Sequence, residues 1–205
     1  MTIVKGQPWG APGALPPDGV VVRSDAEARR VLEEAWRSGA ALPTLGLLGG
    51  DLWRTLGGAG SDEARLHSGD AVTFPIDVAE VTVDGHAHLF IAHLVARNRC
   101  WTRFFVAMNA QWLGRWNLGP RAHPNDGMLD IYEGRLGLDS LWQVRARATL
   151  GAHLPHPGIR ERRARTAQAT LQPPLALWLD GERVGRRPVR DLLVRSQPDA
   201  ARVVV

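Results

Sequence analysis

The sequence predicts an α+β fold, an antiparallel β-sandwich with a small α/β unit at its N-terminus. Two observations predict it. Beyond residue 70, short runs of β-branched and aromatic residues recur at near-regular spacing, and two Asp-Gly dipeptides, Asp84-Gly85 and Asp180-Gly181, sit between such runs. Asp-Gly suits the positive φ of a type I′ turn and marks a hairpin. Before residue 70, a valine strand, a helix with one apolar stripe, a second strand and a glycine turn follow in close succession. With 205 residues, 44% hydrophobic and 22% charged, the chain buries a core without needing disulfides or structural metal.

The elements read in order as follows. Residues 1–19 carry Gly6, Pro8, Gly10, Pro12, Gly13, Pro16, Pro17 and Gly19, the composition of an extended arm that orders only by packing on something. Val20-Val21-Val22 is a short buried strand. Ser24-Asp25-Ala26-Glu27 has the spacing of a helix capping box. Ala28, Val31, Leu32, Ala35 and Trp36 then fall at i, i+3, i+4, i+7 and i+8, and Gly39 stops the helix. Residues 45–48 form a second strand, and Gly49-Gly50-Asp51 turns into a brief helix over 52–56, closed by Gly57-Gly58. The second region reads as strands over 72–78, 81–83, 86–93, 101–108, 128–132, 141–149, 169–179, 189–195 and 201–205. Domain limits follow: an arm at 1–19, an α/β unit at 20–70 and a sandwich at 71–205.

Charge and composition narrow the function classes. Net charge is +4, but Lys5 is the single lysine among 25 basic residues, and Arg beside abundant Gly, Pro and Ala reflects coding bias as much as selection for nucleic acid. The charge permits anionic partners without demanding them. The longest charge-free stretches are short of a membrane span, and Thr166 to Leu179 is broken by Pro173-Pro174. No signal peptide is read at the N-terminus, and the lone Cys100 makes no internal disulfide, so a soluble, cytoplasmic protein is expected, with peripheral membrane contact left open.

Several groups of residues carry candidate chemistry. Gly49-Gly50-Asp51, at a strand-to-helix turn, has the character of a phosphate cradle, although a plain turn capped by Asp51 fits the spacing better. His86, His88 and His93, and separately His153 and His156, invite a metal reading; without cysteines, hydrogen-bonded histidines are the default. The basic clusters, Arg160 to Arg165 and Arg183 to Arg190, read as solvated faces diluted by Glu161 and Glu182. The tryptophans do not interleave with basic residues as in a single-strand binder, so nucleic acid is disfavoured as a partner. Asp180 and Glu182 flank a tight turn where a general base and an orienting group belong. Asn125-Asp126-Gly127 with Asp130 is a second acidic turn.

Together these pieces resemble the diacylglycerol kinase-like lipid kinase family, which shares its architecture with NAD kinases. The resemblance is carried by Ala107-Met108-Asn109-Ala110-Gln111, by Gly119-Pro120-Arg121-Ala122-His123-Pro124-Asn125-Asp126-Gly127-Met128-Leu129-Asp130 and by Leu154-Pro155-His156-Pro157. Trp178-Leu179-Asp180-Gly181-Glu182 and the ending from Gln197-Pro198-Asp199-Ala200 into valines continue it in the same order. It implies that Asp180 is the base that deprotonates a lipid hydroxyl, with Glu182 as companion, and that Asp126 and Asp130 lie near a magnesium site. The family's G-G-D-G-T nucleotide loop corresponds here to Arg23-Ser24-Asp25-Ala26-Glu27. Its L-G-x-x-P-x-G-T-x-N-D motif corresponds to Leu45-Gly46-Leu47-Leu48-Gly49-Gly50-Asp51 with about four residues deleted. The resemblance therefore implies a truncated α/β unit whose cofactor-binding candidates are Arg23, Asp25, Gly49, Gly50 and Asp51.

Replacing glycines by Arg23, Ser24 and Ala26 denies phosphate a close backbone approach, and Glu27 repels it. The expected function is a degenerate lipid-kinase homologue that binds a lipid or small amphiphile in an interdomain cleft with weak or no kinase activity. An active kinase using ATP and Mg²⁺, its site completed by a partner chain, is the alternative. A homo-oligomeric interaction protein pairing through sheet edges is the third.

Overall fold

The computed structural model describes residues 9–60 and 62–205. The architecture is the predicted antiparallel β-sandwich joined to a small α/β unit. Residues 1–8 of the expected arm lie outside the described residues. Trp9 packs on the Phe74 and His123 rings, and β1 (Ala11–Pro12) pairs with the start of β4 (Val72–Val83). Leu15 is buried beneath it.

Parallel strands β2 (Val20–Val22) and β3 (Leu45–Leu47) are joined by α1 (Asp25–Ser38). Ser24 caps α1 through the Glu27 N–H, Glu27 reaches back to the Arg23 N–H, and Gly39 closes the helix at φ 71°. The buried face differs from the predicted stripe. Ala28 and Leu32 are inside, but Asp25, Arg29 and Glu33 are buried with them, while Trp36 is exposed. A row of charges at i, i+4 and i+8 therefore faces the protein, each answered by a partner described below.

The sheet runs β1, β4, β11 (Glu182–Val204), β10 (Thr166–Leu179), β6 (His93–Arg97), β7 (Arg103–Met108), β8 (Leu129–Arg135) and β9 (Ile159–Ala164), with β5 (His86–Phe90) on β4, and β3 parallel to the last residues of β11. The α/β unit thus continues the same hydrogen-bonded sheet. Both predicted hairpins form, with Asp84, Gly85, Asp180 and Gly181 all at positive φ. Two pairs of predicted strands are single strands: β4 runs unbroken across Ala79-Glu80, and β11 (Glu182–Val204) absorbs a register shift between Gln197 and Ala201. β6 (His93–Arg97), β7 (Arg103–Met108), β8 (Leu129–Arg135) and β9 (Ile159–Ala164) form the second layer. It folds over β10 (Thr166–Leu179) and the β4–β11 ribbon. Phe90, Leu94, Phe105, Ile131, Leu177 and Val194 fill the space between the layers.

Short helices α2 (Asp51–Thr55) and α3 (Glu63–Leu66) precede the sandwich. Two predictions of local structure are corrected. Residues 141–148 of the predicted strand 141–149 are instead part of helix α4 (Leu138–Ala148), with Thr149 as its C-cap. Leu141, Val144 and Ala148, at i, i+3 and i+7, are its buried face, and this period overrides the weaker alternation through the same residues. The cluster at Arg160 to Arg163 is strand β9 paired with β8, not simply a solvated face. Leu177→Ala, which empties the inter-layer core, is expected to cost about 2–5 kcal/mol in urea unfolding.

Candidate functional site

The site forms where two loops of the α/β unit meet the β5–β6 turn. Short helix α2 (Asp51–Thr55) starts after Gly50, whose φ is 104°. A Cβ on Gly50 would sit 2.5 Å from Asp25 Oδ1, and one on Gly49 would sit 2.6 Å from the Arg23 carbonyl. These glycines let the two loops close on each other. The Asp51 N–H donates to Asp25 Oδ2 at 2.5 Å and the Leu52 N–H to Oδ1 at 3.1 Å. Asp25, rather than an external anion, answers the donors at the start of α2.

Asp180 is organised in the same way. Its buried carboxylate accepts the N–H groups of Ile91 (3.0 Å), Ala92 (2.9 Å) and His93 (3.0 Å), and its own N–H donates to the His93 carbonyl at 2.9 Å. This bond set breaks the predicted strand over 86–93 into β5 and β6. It also aims the His93 ring, 2% exposed, at Asp51, with Nε2 2.9 Å from Oδ2. The Asp51 carboxylate accepts the Gly114 N–H as well. α2 is fastened to the 109–124 loop by the Thr55 hydroxyl, which accepts the Gln111 N–H, and by Arg54, which bonds the Gly114 carbonyl and stacks on Trp112.

The electrostatics follow from crowding carboxylates around one imidazole. Burial pushes Asp25 up to about 7, the Asp180 charge adds to this, and His93 and the two backbone N–H groups oppose it. Burial also raises Asp180 against the pull of His93 and its N–H donors. Burial alone would lower His93, but the Asp51 bond and the charges of Asp180 and Asp25 hold it above its ordinary value. Burial opposes ionisation of Asp51 too, yet the His93 bond and the Gly114 N–H keep it below the usual range.

Of the predicted site residues, Asp25, Asp51 and Asp180 come together, with Gly49 and Gly50 serving their approach. Glu182 does not join them: it pairs with Arg29 at 2.7 Å and with Arg30, pinning α1 to the β10–β11 hairpin. The Arg23 guanidinium faces Glu63 at 3.3 Å. Asp126 and Asp130 both pair with Arg163 of β9, so a guanidinium answers that acidic turn. Its loop is held by Asp77, which accepts the Gly127 and Asp199 N–H groups, and by Asn125 on Asp199. The histidines separate: His88 lies 3.7 Å from Glu33, His156 accepts the Gly158 N–H, and only His93 enters the cluster. Arg29 and Glu33 were missed, and their only sequence signal is the i, i+4, i+8 row with Asp25.

Among the described residues, one group places metal-ligand atoms within 4.8 Å of one another, namely Asp25, Asp51 and His93. Two carboxylate oxygens and one imidazole nitrogen fit a divalent cation. Such a mixed set suits Mn²⁺ or Zn²⁺ better than Mg²⁺, which prefers oxygen throughout.

A twisted antiparallel sandwich of the NAD-kinase type, with an acid cluster where an α/β unit meets it, is the class of protein these observations define. A family model described as the YegS C-terminal NAD kinase beta sandwich-like domain matches residues 71–205, and the chain belongs to that family. Solved structures share the fold. One is described as "a putative diacylglycerol kinase" from Bacillus anthracis str. Sterne, with TM-score 0.64 and 15% identity over 91% of this chain and 76% of that one. Another, a diacylglycerol kinase from the same strain, gives 0.60 and 15% over 91% and 75%. No curated protein matches the chain.

Two predictions test the cluster. Folded Asp25 binds its proton more tightly than the unfolded chain does, so its stabilisation is whole below about pH 4 and lost as pH rises through about 7. His93, also raised, contributes with the same sign. The contribution of these two groups to the unfolding free energy should therefore fall from pH 4 to pH 7.5, opposed by lowered Asp51, and Asp25→Asn should remove the larger part of that fall. Asp180→Asn turns an amide donor toward backbone N–H groups, and a loss of about 1–3 kcal/mol is expected by urea unfolding, against little change for exposed Asp139→Asn.

Proposed function

We propose that the protein is a lipid-kinase-like binder of a lipid or small amphiphile, with weak or no phosphoryl transfer. The observation that carries this reading is an apolar pocket on the outer face of the β6–β7–β8 layer, beneath α4. Trp101, Phe104, Val106, Tyr132 and Val144 line it. Trp116 Nε1 and His153 Nδ1 also border it, buried and without hydrogen-bond partners among the described residues. An apolar recess with a few convergent polar atoms is the chemistry of a site for an amphiphile. The register connects it to the acid cluster: His93 pairs with Met108, and Val95 pairs with Val106, which pairs with Tyr132. Alternate residues share a face, so one apolar track leads from His93 to the pocket. A hydroxyl at the cluster and a chain along the track is the orientation this supports. The free volume is narrow, about 40 Å³, so an acyl chain enters only as α4 moves outward.

Weak transfer is supported by the loops. Phosphoryl transfer relies on positioned donors around the phosphates. Here the α2 N–H groups are taken by Asp25, the Glu27 N–H by Ser24 and the Arg23 N–H by Glu27. Asp180 spends its carboxylate on three N–H groups, which leaves it poorly placed as a base.

Calorimetric titration with ATP and Mg²⁺ is expected to give no saturable heat up to low millimolar concentration. Micromolar binding would overturn the degenerate reading in favour of a working kinase. A diacylglycerol analogue should quench tryptophan fluorescence saturably. Ala148→Phe, which fills the pocket, should weaken this at least about tenfold, or about 1.4 kcal/mol, at unchanged fold. Equal binding by the variant would remove the pocket from the function.

A further inference from the structure

The inner face of the second layer carries charge where a sandwich ordinarily buries apolar side chains. Alternate residues share a face, and Phe105 and Ile131 point into the inter-layer core. On the same face β7 and β8 carry Arg103, Glu133 and Arg135, and β9 adds Arg160 and Arg162. The register sets Arg103 directly opposite Arg135, Glu133 between Phe105 and Arg160, and Arg162 opposite Ile131. These charged side chains line an open groove of about 790 Å³ between the layers, the size of a small-molecule site.

Counter-charge within the groove is short. Glu133 is the one acid among the described residues of its lining, and Arg162 takes it at 3.1 Å. Arg103 donates across the groove to a neutral partner, the Gln172 carbonyl, at 2.8 Å. No acid among the described residues pairs with Arg135 or Arg160. The facing wall, β10, offers the uncharged Gln168 and Thr170. Like charges set directly opposite on a sheet destabilise it, so the pairing of Arg103 with Arg135 calls for an anion. Four arginines sharing one glutamate leave an excess of about three positive charges. Two linked phosphoryl groups carry about three to four negative charges near neutral pH, which matches that excess. A planar guanidinium binds two phosphate oxygens at once. Strands β7 to β9 span about 10 Å, so their arginines reach two phosphoryl groups, whereas a single orthophosphate or sulfate meets only part of the set.

We propose that this groove binds a small soluble diphosphate anion, of which inorganic pyrophosphate is the simplest form, Arg103 and Arg135 holding one phosphoryl group and Arg160 and Arg162 the other. The groove lies on the opposite face of the layer from the apolar pocket and is separate from the acid cluster. Its occupation rests on neither the amphiphile reading nor any transfer chemistry.

The test is calorimetric titration of the full chain with sodium pyrophosphate, at matched ionic strength and in buffer stripped of divalent cations by chelating resin. One-to-one binding with a dissociation constant below about 1 mM is expected, with orthophosphate and sulfate at least about tenfold weaker. An anion that binds only the folded chain should also raise the melting temperature. Arg135→Gln/Arg160→Gln should weaken binding at least about tenfold. The pair should not lower the melting temperature of the ligand-free protein, since both side chains are exposed and Arg135 opposes a like charge. Glu133→Gln should tighten binding at least about threefold, a gain that misfolding does not produce. Exposed Arg190→Gln, outside the groove, should leave it unchanged. Absence of saturable heat, equal affinity for orthophosphate or sulfate, unaltered binding by the arginine pair, or weaker binding by Glu133→Gln would each overturn the proposal. Ala148→Phe, which fills the apolar pocket, should bind pyrophosphate as the parent chain does, so failure here and failure of the amphiphile reading are distinguishable.

Discussion

A single carboxylate, Asp180, holds the site together. At the tip of the β10–β11 hairpin it answers three consecutive N–H groups, those of Ile91, Ala92 and His93, which no strand partner takes. Unanswered, each buried donor would cost about 1–3 kcal/mol. The bonds set where β5 ends and β6 begins, and therefore where the His93 ring points. His93 then meets Asp51, Asp51 meets the Gly114 N–H, and α2 ties the 109–124 loop over the outer face of the second layer. Asp25 repeats the device at the start of α2. Glu33 repeats it again on the Leu89 N–H; burial opposes its ionisation, but the His88 ring and the Leu89 N–H, with Arg29 and Arg37 beside it, hold its carboxyl below the usual range.

Carboxylates used this way have a chemical consequence. A helix start that accepts an internal acid no longer offers its N–H groups to phosphate, and the local field is negative where a nucleotide would bring more negative charge. Crowding is relieved by protons instead: Asp25 and Asp180 are both pushed up, and His93 is held cationic more readily than a free imidazole. The cluster consequently favours a cation or a hydroxyl over an anion.

Much of this was legible in the residues. Ser24 and Glu27 specify the start of α1, Asp84-Gly85 and Asp180-Gly181 specify the hairpins, and motif order from Ala107 to Ala200 carried the family. Local chemistry decides all of these, whether turn, cap or short motif. The placement of the acids is of another kind. Asp180-Gly181-Glu182 invites a catalytic pair because the two acids are adjacent, but a turn sends them to different sides, one to the β5–β6 turn and one to α1. Asp126 and Asp130, near neighbours in the sequence, both meet Arg163, which β9 brings from more than thirty positions away. α4 was hidden because Trp142, Val144 and Ala146 alternate as a strand would, and only packing against Trp101, Phe104 and Ile159 selects the helical face. Partners brought by tertiary structure leave no local trace.

The second layer also separates two kinds of contact by the parity of its strands. Leu94, Phe105 and Ile131 point to the inter-layer core, and the residues between them, His93, Val95, Val106 and Tyr132, point outward. Outward side chains on an antiparallel layer normally meet water and are polar. Here they are apolar and need cover, which the 109–124 loop and α4 supply. The loop is anchored to the acid cluster through Thr55, Arg54 and Asp51, whereas α4 packs through Leu141, Val144 and Ala148, against Leu136, Trp101, Phe104 and Ile159. The cover is therefore hydrogen-bonded beside His93 and apolar beneath α4, at the end where the exposed Leu138 and Trp142 stand.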